Sequence, residues 1–293
     1  MERSVVYIMG AGRSGTTLLD ILLGNGDASV SCGELNRFAR HHGEPPLIEP
    51  ASARGRFWKR VRAALRRRMA RLDFDRLAAL EHRHAYHTSA LRALLPIASD
   101  TEAAQYNGYV RDLYESLFEV SGARTLIDSS KYPGRALRVH SALAGSSTRV
   151  LFVYLRRDPV DVVRSFAKQG IEQPSKSWIA AAVYYAAVNA LCLLAAWSLR
   201  RQGRDVVVVS YEELLGDPQA TLRKIARGLN IDLSGVEPCL SANEFRVGPL
   251  FHGNRIRLKP VIALESYRGA RRSLTWREKL VRILNRPFYA ASI

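Results

Sequence analysis

The feature that most constrains the fold is a glycine-rich loop that directly follows a short apolar run. Residues 5–9 read Val-Val-Tyr-Ile-Met, and residues 10–17 read Gly-Ala-Gly-Arg-Ser-Gly-Thr-Thr. A loop of this kind between a buried strand and a helix binds phosphate groups through backbone N–H groups and the helix N-terminus. The sequence therefore predicts a strand, a phosphate-binding loop and a helix at the start of an α/β domain.

The loop departs from the nucleotide-triphosphatase pattern at one position. In the pattern G-x-x-x-x-G-K-[ST], the lysine holds the β- and γ-phosphates of ATP. Gly10 and Gly15 keep the spacing, but Thr16 occupies the lysine position, and a cation appears three positions earlier as Arg13. This difference favours a nucleotide ligand with a reacting group other than a terminal phosphate.

Four short β-rich segments are separated by helical patterns. They are nearly continuous apolar runs at residues 5–9, 125–127, 150–155 and 206–210. Such runs are typical of strands that are buried on both faces of a sheet. The alternation predicts a three-layer, P-loop-like α/β fold with a central, mainly parallel sheet. Ligands bind at the carboxyl ends of such strands, so the polar motifs that follow the strands should meet there.

Residues 51–120 interrupt this alternation because they show helical patterns and no strand signal. We predict that they form a helical insertion within a single domain of residues 1–293. Residues 54–71 contain nine Arg and Lys and no acidic residue, with apolar residues at helical spacing. Two interpretations of this basic amphipathic helix stay open: a solvated helix that lies on the domain, or a contact with an anionic membrane or an acidic substrate.

A second long apolar segment, residues 178–199, contains no charged residue. Its length alone would allow a membrane span. Asn189, the many alanines and the position between two predicted strands favour a buried crossover helix instead, with Gly203 at its C-terminal end.

The composition limits the partners that we expect. The net charge of +17 favours an anionic partner such as a charged cofactor or an anionic lipid surface. The charge is spread over several helices without the aromatic pattern of an RNA-binding module, so nucleic acid is not an expected partner. Three widely spaced cysteines fit neither a disulfide framework nor a metal site. Because the phosphate-binding loop begins within ten residues of Met1, we expect no signal peptide and a cytoplasmic protein, with peripheral membrane contact as a further option.

A second anion-binding motif follows the third predicted strand. It begins with Arg157-Asp158-Pro159, and Ser165 lies about two helical turns beyond Arg157. A cation at a strand end and a hydroxyl group on the next helix can hold one phosphate group from two sides. An ordinary helix start with surface arginines is the alternative interpretation of this segment.

Together, the motifs resemble those of sulfotransferases that use 3′-phosphoadenosine 5′-phosphosulfate (PAPS). Residues 12–17 are similar to the family's 5′-phosphosulfate motif, and residues 157–165 are similar to its 3′-phosphate motif. Residues 210–218 resemble its Tyr-Glu-Asp-Leu and Asp-Pro segment, and residues 252–257 resemble its late loop over the nucleotide. The Arg-Ser-Gly-Thr-Thr form resembles the bacterial and tyrosylprotein branch, which uses an acidic base. None of the seven histidines lies in a context that matches a histidine base.

The resemblance implies roles for the matched residues. It implies that Glu34 is the base that deprotonates the acceptor hydroxyl group, while Arg13 and Lys131 stabilise the sulfuryl oxygens. Surface roles for Glu34 and Lys131 stay open as alternatives. Ser129 and Ser130, in an Asp-Ser-Ser-Lys segment, join Glu34 as candidate substrate contacts. The implied cofactor-binding residues, with the choice between the last two open, are Gly12, Arg13, Ser14, Gly15, Thr16, Thr17, Arg157, Ser165, Gly253, Asn254, Arg255 and Arg257.

The reaction that this resemblance implies is sulfuryl transfer by in-line displacement from PAPS, which becomes 3′-phosphoadenosine 5′-phosphate (PAP). The acceptor is expected to be a hydroxyl group of a small molecule, a carbohydrate or a lipid. No metal is expected, since a sulfuryl group carries less charge than a terminal phosphate. The alternatives are a P-loop nucleotide kinase or hydrolase, and a non-enzymatic protein that binds anionic lipid.

The residues that select the acceptor are expected within residues 36–120 and 168–178, where the resemblance is weakest. The insertion of residues 51–120 should therefore border the acceptor site. Each of four aromatic residues in these regions is expected to be a core residue rather than a pocket residue: Phe38, Trp58, Tyr106 and Trp178.

Overall fold

The computed structural model describes residues 2–69, 71–94, 100–168, 175–265 and 273–290. In this part of the chain, the central feature is a five-stranded sheet in the order β2-β3-β1-β4-β5. Each neighbouring pair of strands in this sheet is parallel, which confirms the predicted α/β fold with a central parallel sheet. The strands are β1 (Arg3–Met9), β2 (Ser29–Gly33), β3 (Thr125–Lys131), β4 (Thr148–Arg156) and β5 (Val206–Ser210).

Helices cover both faces of the sheet, which gives the three layers that the sequence predicts. Two short antiparallel strands, β6 (Phe245–Arg246) and β7 (Val261–Ile262), lie outside the main sheet. The helices are α1 (Thr16–Leu23), α2 (Ala53–Arg68), α3 (Phe74–Ala85), α4 (Ser89–Leu94), α5 (Thr101–Ser121), α6 (Pro133–Leu143), α7 (Pro159–Ala167), α8 (Trp178–Arg201), α9 (Tyr211–Gly216), α10 (Pro218–Leu229), α11 (Val236–Ala242) and α12 (Trp276–Ala290).

Strands β1, β4 and β5 are largely apolar because each face of the sheet packs against its own core. Along β1, Tyr7 belongs to the core formed with α2, α5, α6 and α8, whereas Val6 and Ile8 belong to the core formed with α1 and α10. Burying one such side chain stabilises the fold by about 1.5–3 kcal/mol. A polar substitution in β1 would therefore be unfavourable at either face.

Strand β2 was not predicted as a strand. Its sequence, Ser-Val-Ser-Cys-Gly, contains little of the apolar run that marks the other strands. It lies at the edge of the sheet and pairs with β3 alone among the described strands, with Val30 opposite Leu126. Serine alternates with Val30 and Cys32 in this strand, so it has no continuous apolar run, which explains the weak signal. The strand matters because it ends immediately before Glu34.

Helices α2 to α5 occupy the described part of residues 51–120, which contains no strand. Residues 70 and 95–99 of the predicted insertion lie outside the described residues. Three of the four aromatic residues that the sequence predicts in the core are fully buried, and Trp178, outside this range, is half-buried. The fully buried ones are Phe38, Trp58 and Tyr106.

Several arginines of α2 are paired with acidic residues of the same protein. Arg62 forms an ion pair with Glu44, and Arg67 and Arg68 both pair with Glu119. The apolar side of α2 packs against α5. These contacts support the interpretation of α2 as a helix that lies on the domain.

Helix α8 belongs to the crossover between β4 and β5. Tyr185 and Val188 pack in the core, while Ile179, Val183 and Trp197 are 57%, 62% and 49% exposed. The prediction of a buried helix is therefore correct for one face only. Within the described residues, α8 is also the one helix whose length and composition would suffice to cross a membrane.

Candidate active site

A cleft of about 700 Å³ opens at the carboxyl ends of the strands. This volume lies within the range of roughly 300–1,000 Å³ that is typical of cofactor and small-molecule sites. Each strand of the main sheet is followed by, or ends in, one polar residue of its wall: Arg13, Glu34, Lys131, Arg157 and Tyr211. The parallel sheet thus brings together residues that are far apart in the sequence.

The loop after β1 forms one wall of the cleft. Gly15 has a φ of 93°, and a Cβ atom there would lie 2.4 Å from the ring of Tyr211, so a larger residue would be both strained and obstructed. Thr16 and Thr17 line the cleft and begin α1, whose first backbone N–H groups have no helical partners. The helix N-terminus therefore adds positive partial charge to this wall.

Gly12 and Ser14 belong to the same loop but do not line the cleft. The N–H group of Gly12 donates to the Tyr184 hydroxyl group at 3.0 Å. Ser14 is fully buried, and its hydroxyl group has no hydrogen-bond partner among the described residues. Both residues therefore belong to the side of the loop that faces away from the cleft.

Arg157 joins the two predicted anion-binding motifs. Its Nη1 donates to the backbone carbonyl group of Arg13 at 3.0 Å, and its guanidinium carbon lies 4.2 Å from the centre of the Tyr211 ring. Ser165, on α7, lines the same cleft. The Arg13 loop and the Arg157 segment therefore face one cavity.

Glu34 and Lys131 meet at the ends of β2 and β3. Lys131 Nζ lies 2.6 Å from Glu34 Oε1, and His252 Nδ1 lies 3.6 Å from Glu34 Oε2. Burial by itself would raise the pKa of Glu34, but the Lys131 ammonium group and His252 lower it to about 2. Glu34 is therefore an ionised, largely buried carboxylate at neutral pH.

The backbone that carries this pair is locally strained. Gly33 and Lys131 have φ values of 74° and 68°, in the left-handed region that residues other than glycine rarely adopt. A Cβ atom on Gly33 would lie 2.6 Å from the carbonyl oxygen of His252. That carbonyl accepts the N–H group of Glu34 at 3.0 Å. Strained positions of this kind are typical of functional sites.

Ser129 and Ser130 do not reach the cleft, in contrast to their expected role as substrate contacts. Both are fully buried. Ser129 donates to the Asp20 carboxyl group at 2.6 Å, and Ser130 donates to Asp128 while accepting the N–H group of Asn36 at 3.0 Å. Internal carboxyl groups thus occupy both hydroxyl groups, which hold the backbone around Glu34 and Lys131 in place.

The late loop supplies part of the predicted set. Gly253 and Asn254 line the cleft, and the N–H group of Asn254 donates to the Thr17 hydroxyl oxygen at 3.1 Å. Arg255 and Arg257 do not line it: Arg255 is exposed, and the buried Arg257 donates to the carbonyl group of Pro46. The structure therefore does not place either arginine at the predicted phosphate contact.

The sequence model of the sulfotransferase family matches residues 5–235. The chain belongs to the sulfotransferase family. The matched segment runs from β1 to the residues after α10 and includes the loop around Arg13, Glu34, Lys131 and Arg157. This protein is therefore a transferase that moves sulfuryl groups. No curated protein matches the sulfotransferase in sequence.

Two solved sulfotransferase domains share the fold of this sulfotransferase. The domain from the Synechococcus PCC 7002 olefin synthase gives a TM-score of 0.54 at 19% identity, over 100% of this chain and 96% of that chain. The domain from the curacin biosynthetic pathway gives a TM-score of 0.55 at 16% identity, over 96% and 97%. Both likenesses concern the fold, which is P-loop-like α/β, as the sequence predicts.

The cleft of the sulfotransferase also contains polar residues for which the sequence analysis proposed no individual role. His252 lies beside Glu34, and its ring stacks on that of His41, with 5.5 Å between the ring centres. Burial, with contributions from the neighbouring His252 and from the guanidinium groups of Arg37, Arg40 and Arg257, lowers the pKa of His41 to about 4, so that its ring is neutral at pH 7. The polar residues of the cleft without a predicted role are Arg37, Arg40, His41, Lys259 and Glu265, together with Tyr211 and His252, whose segments were matched to the family without a role for either side chain.

Proposed function

We propose that this sulfotransferase takes its sulfuryl group from PAPS and transfers it to a hydroxyl group of a small-molecule, carbohydrate or lipid acceptor. One observation supports the choice of PAPS above all. The Arg13 loop and the pair Arg157 and Ser165 line the same cleft, and Arg157 contacts Arg13 directly. A nucleotide with anionic groups at both its 3′ and 5′ positions fits two anion-binding groups that are so close together.

Each of these two anion-binding sites would bind one end of the nucleotide. The Arg13 loop and the N-terminus of α1 offer backbone N–H groups and a guanidinium group to the 5′-phosphosulfate. Arg157 and Ser165 offer a cation and a hydroxyl group to the 3′-phosphate. Tyr211 packs against the guanidinium group of Arg157 and so fixes its direction. Apolar residues that line the same cleft offer a surface for the adenine ring, namely Leu18, Leu215, Ile256 and Ile262.

Glu34 is the proposed base that accepts the proton of the acceptor hydroxyl group. The Lys131 ammonium group, which lies 2.6 Å away, keeps the pKa of Glu34 at about 2, so the carboxylate is a weak base in this state. Sulfuryl oxygens close to Lys131 would compete for the ammonium group. The pKa of Glu34 would then rise, and the base would become effective when the sulfuryl donor is bound.

The remaining chemistry is electrostatic. In an in-line transfer, negative charge builds up on the oxygen that leaves, and a protein accelerates the reaction mainly by positioning the reactants and by supplying positive potential. Arg13, Lys131 and the N-terminus of α1 would supply that potential. The family match disfavours two alternatives: a P-loop kinase or hydrolase, and a non-enzymatic lipid binder. No feature of the described site favours either alternative.

Binding of PAP, followed by thermal unfolding, tests this proposal. A ligand that binds only the folded protein raises its melting temperature, and saturation at 100 times Kd stabilises the protein by about 2.7 kcal/mol. PAP should stabilise the protein strongly, while ATP with Mg²⁺ at the same concentration should have a small effect. Equal stabilisation by ATP would contradict the proposal. Transfer of ³⁵S from PAPS to a panel of hydroxyl compounds would then identify the acceptor.

A further inference from the structure

Arg37 and Arg40 line the cleft but have no role in the proposed binding of PAPS. They follow Glu34 by three and six residues, and Arg37 ends the 3₁₀ turn Leu35–Arg37 that begins directly after Glu34. Arg37 also contacts Tyr132, the residue after Lys131. Both arginines therefore belong to the end of the cleft that contains Glu34 and Lys131.

Neither arginine has an acidic partner among the described residues. Arg37 donates through Nη2 to the Tyr132 hydroxyl group at a long 3.4 Å, and its buried Nε has no hydrogen-bond partner in the described part of the chain. Arg40 is exposed, and no hydrogen bond or ion pair links it to a described residue. Their hydrogen-bonding capacity is thus largely unused.

The acidic residues of this region are engaged elsewhere. Glu34 pairs with Lys131, and Glu44 pairs with Arg62. Glu265 also lines the cleft, but its charge contributes to the raised pKa of Tyr211, which lies at the end of the cleft that contains Arg157. The excess of positive charge beside Glu34 also contributes to the low pKa of His41. The positive charges of Arg37 and Arg40 have no counter-charge among the described residues, and an anionic ligand in the cleft would supply one.

We propose that Arg37 and Arg40 bind an anionic group of the acceptor, a phosphate or a carboxylate, and so direct the acceptor's hydroxyl group to Glu34. This inference rests on the proposed function and narrows its acceptor to molecules that carry both a hydroxyl group and an anionic group. Arginine suits the task, since its planar guanidinium group binds a phosphate or a carboxylate through two parallel hydrogen bonds.

The test is a calorimetric titration of inorganic phosphate into protein that is already saturated with PAP, because PAP then fills both nucleotide anion sites. The variant is the double substitution Arg37→Gln and Arg40→Gln. A matched control is Arg66→Gln with Arg71→Gln, which changes the charge equally at exposed arginines that do not line the cleft. A parallel titration with acetate shows whether the subsite prefers a phosphate or a carboxylate.

Phosphate should bind to the PAP-saturated wild type and to the control with similar Kd values. The Arg37/Arg40 variant should bind phosphate at least about tenfold more weakly, while its Kd for PAP changes by less than about threefold. Equal phosphate binding by the variant and the control, or no phosphate binding by the PAP-saturated wild type, would overturn this inference and leave the proposed function intact. An equal loss of PAP and phosphate affinity would overturn it by placing both arginines in the nucleotide site. A wild type that does not bind PAP would refute the proposed function itself.

Discussion

The ammonium group of Lys131 lies 2.6 Å from the carboxylate of Glu34, where the neighbouring strands β3 and β2 end. The two residues are 97 positions apart in the sequence, and the parallel pairing of their strands brings them together. This ion pair keeps the proposed base ionised but only weakly basic. Its exchange for contacts with sulfuryl oxygens would couple binding of the sulfuryl donor to activation of the base.

Replacement of Glu34 by Gln should abolish most of the turnover. A positioned general base contributes roughly 10²–10⁴-fold to a rate, and the amide cannot accept the proton. The Kd for PAP should stay close to that of the wild type, which also reports that the variant is folded. Glu44→Gln is the matched control, since Glu44 does not line the cleft. Undiminished ³⁵S transfer by Glu34→Gln would remove Glu34 from the mechanism.

Replacement of Lys131 by Ala should raise the pKa of Glu34. The burial that opposes ionisation would no longer be outweighed by the ammonium group, so we expect this pKa to rise from about 2 to its ordinary value of 4.5 or higher. A ¹³C NMR titration of the Glu34 carboxyl carbon, assigned with Glu34→Gln, measures the change. Lys259→Ala, which also alters a lysine of the cleft, should leave that pKa near 2. An unchanged pKa in Lys131→Ala would show that other groups set it.

Replacement of Arg157 by Ala should weaken the binding of PAP far more than that of adenosine 5′-phosphate, which lacks the 3′-phosphate. The loss of a hydrogen bond to a charged group costs about 1.5–3 kcal/mol, or roughly 10- to 150-fold in Kd. Calorimetric titrations of both nucleotides measure the difference. Arg156→Ala changes the preceding arginine, which does not line the cleft, and should alter neither affinity by much. Equal losses for both nucleotides in Arg157→Ala would mean that Arg157 does not bind the 3′-phosphate.

The free energy of unfolding should decrease as the pH rises because of the buried carboxyl group of Asp20. Burial raises the pKa of this carboxyl group from 3.8 to about 8, so the folded protein retains a proton that the unfolded chain releases at lower pH. This contribution is fully present below about pH 4 and is lost as the pH rises towards about 8, by at most about 1.4 kcal/mol per pH unit.

The substitution Asp20→Asn tests this dependence, because an amide does not ionise. Unfolding free energies from urea titrations between about pH 5 and about pH 8 should fall with pH less steeply in the variant than in the wild type. Equal slopes would show that Asp20 ionises in the folded protein much as it does in the unfolded chain.

The sequence predicted the parallel sheet and indicated the two candidate anion-binding motifs because these signals are local. β1, β4 and β5 are apolar runs, and a glycine-rich loop or an Arg-Asp-Pro segment directly follows two of them. β2 was not predicted because its five residues alternate between serine and apolar side chains and form no continuous apolar run. The sequence still indicated Glu34, although only through its resemblance to a family.

The rest of the cleft depends on contacts between distant parts of the chain. Nothing local shows that Ser129 finds the carboxyl group of Asp20, which lies 109 residues earlier. In the same way, His252 contacts Glu34 only because the late loop folds back over the end of β2. For Arg255 and Arg257, in contrast, the local motif is recognisable in the sequence. The 3₁₀ turn Arg255–Leu258 nevertheless leaves both side chains outside the wall of the cleft.

The late loop touches both halves of the site within three residues. The carbonyl group of His252 accepts the N–H group of Glu34, and the N–H group of Asn254 donates to Thr17 at the start of α1. A segment of three residues is thus hydrogen-bonded both to Glu34, the proposed base, and to the proposed phosphate-binding loop. If this segment moved to admit or release a nucleotide, both hydrogen bonds would break together, so that Glu34 would lose its backbone contact with His252 while the nucleotide site is open to water.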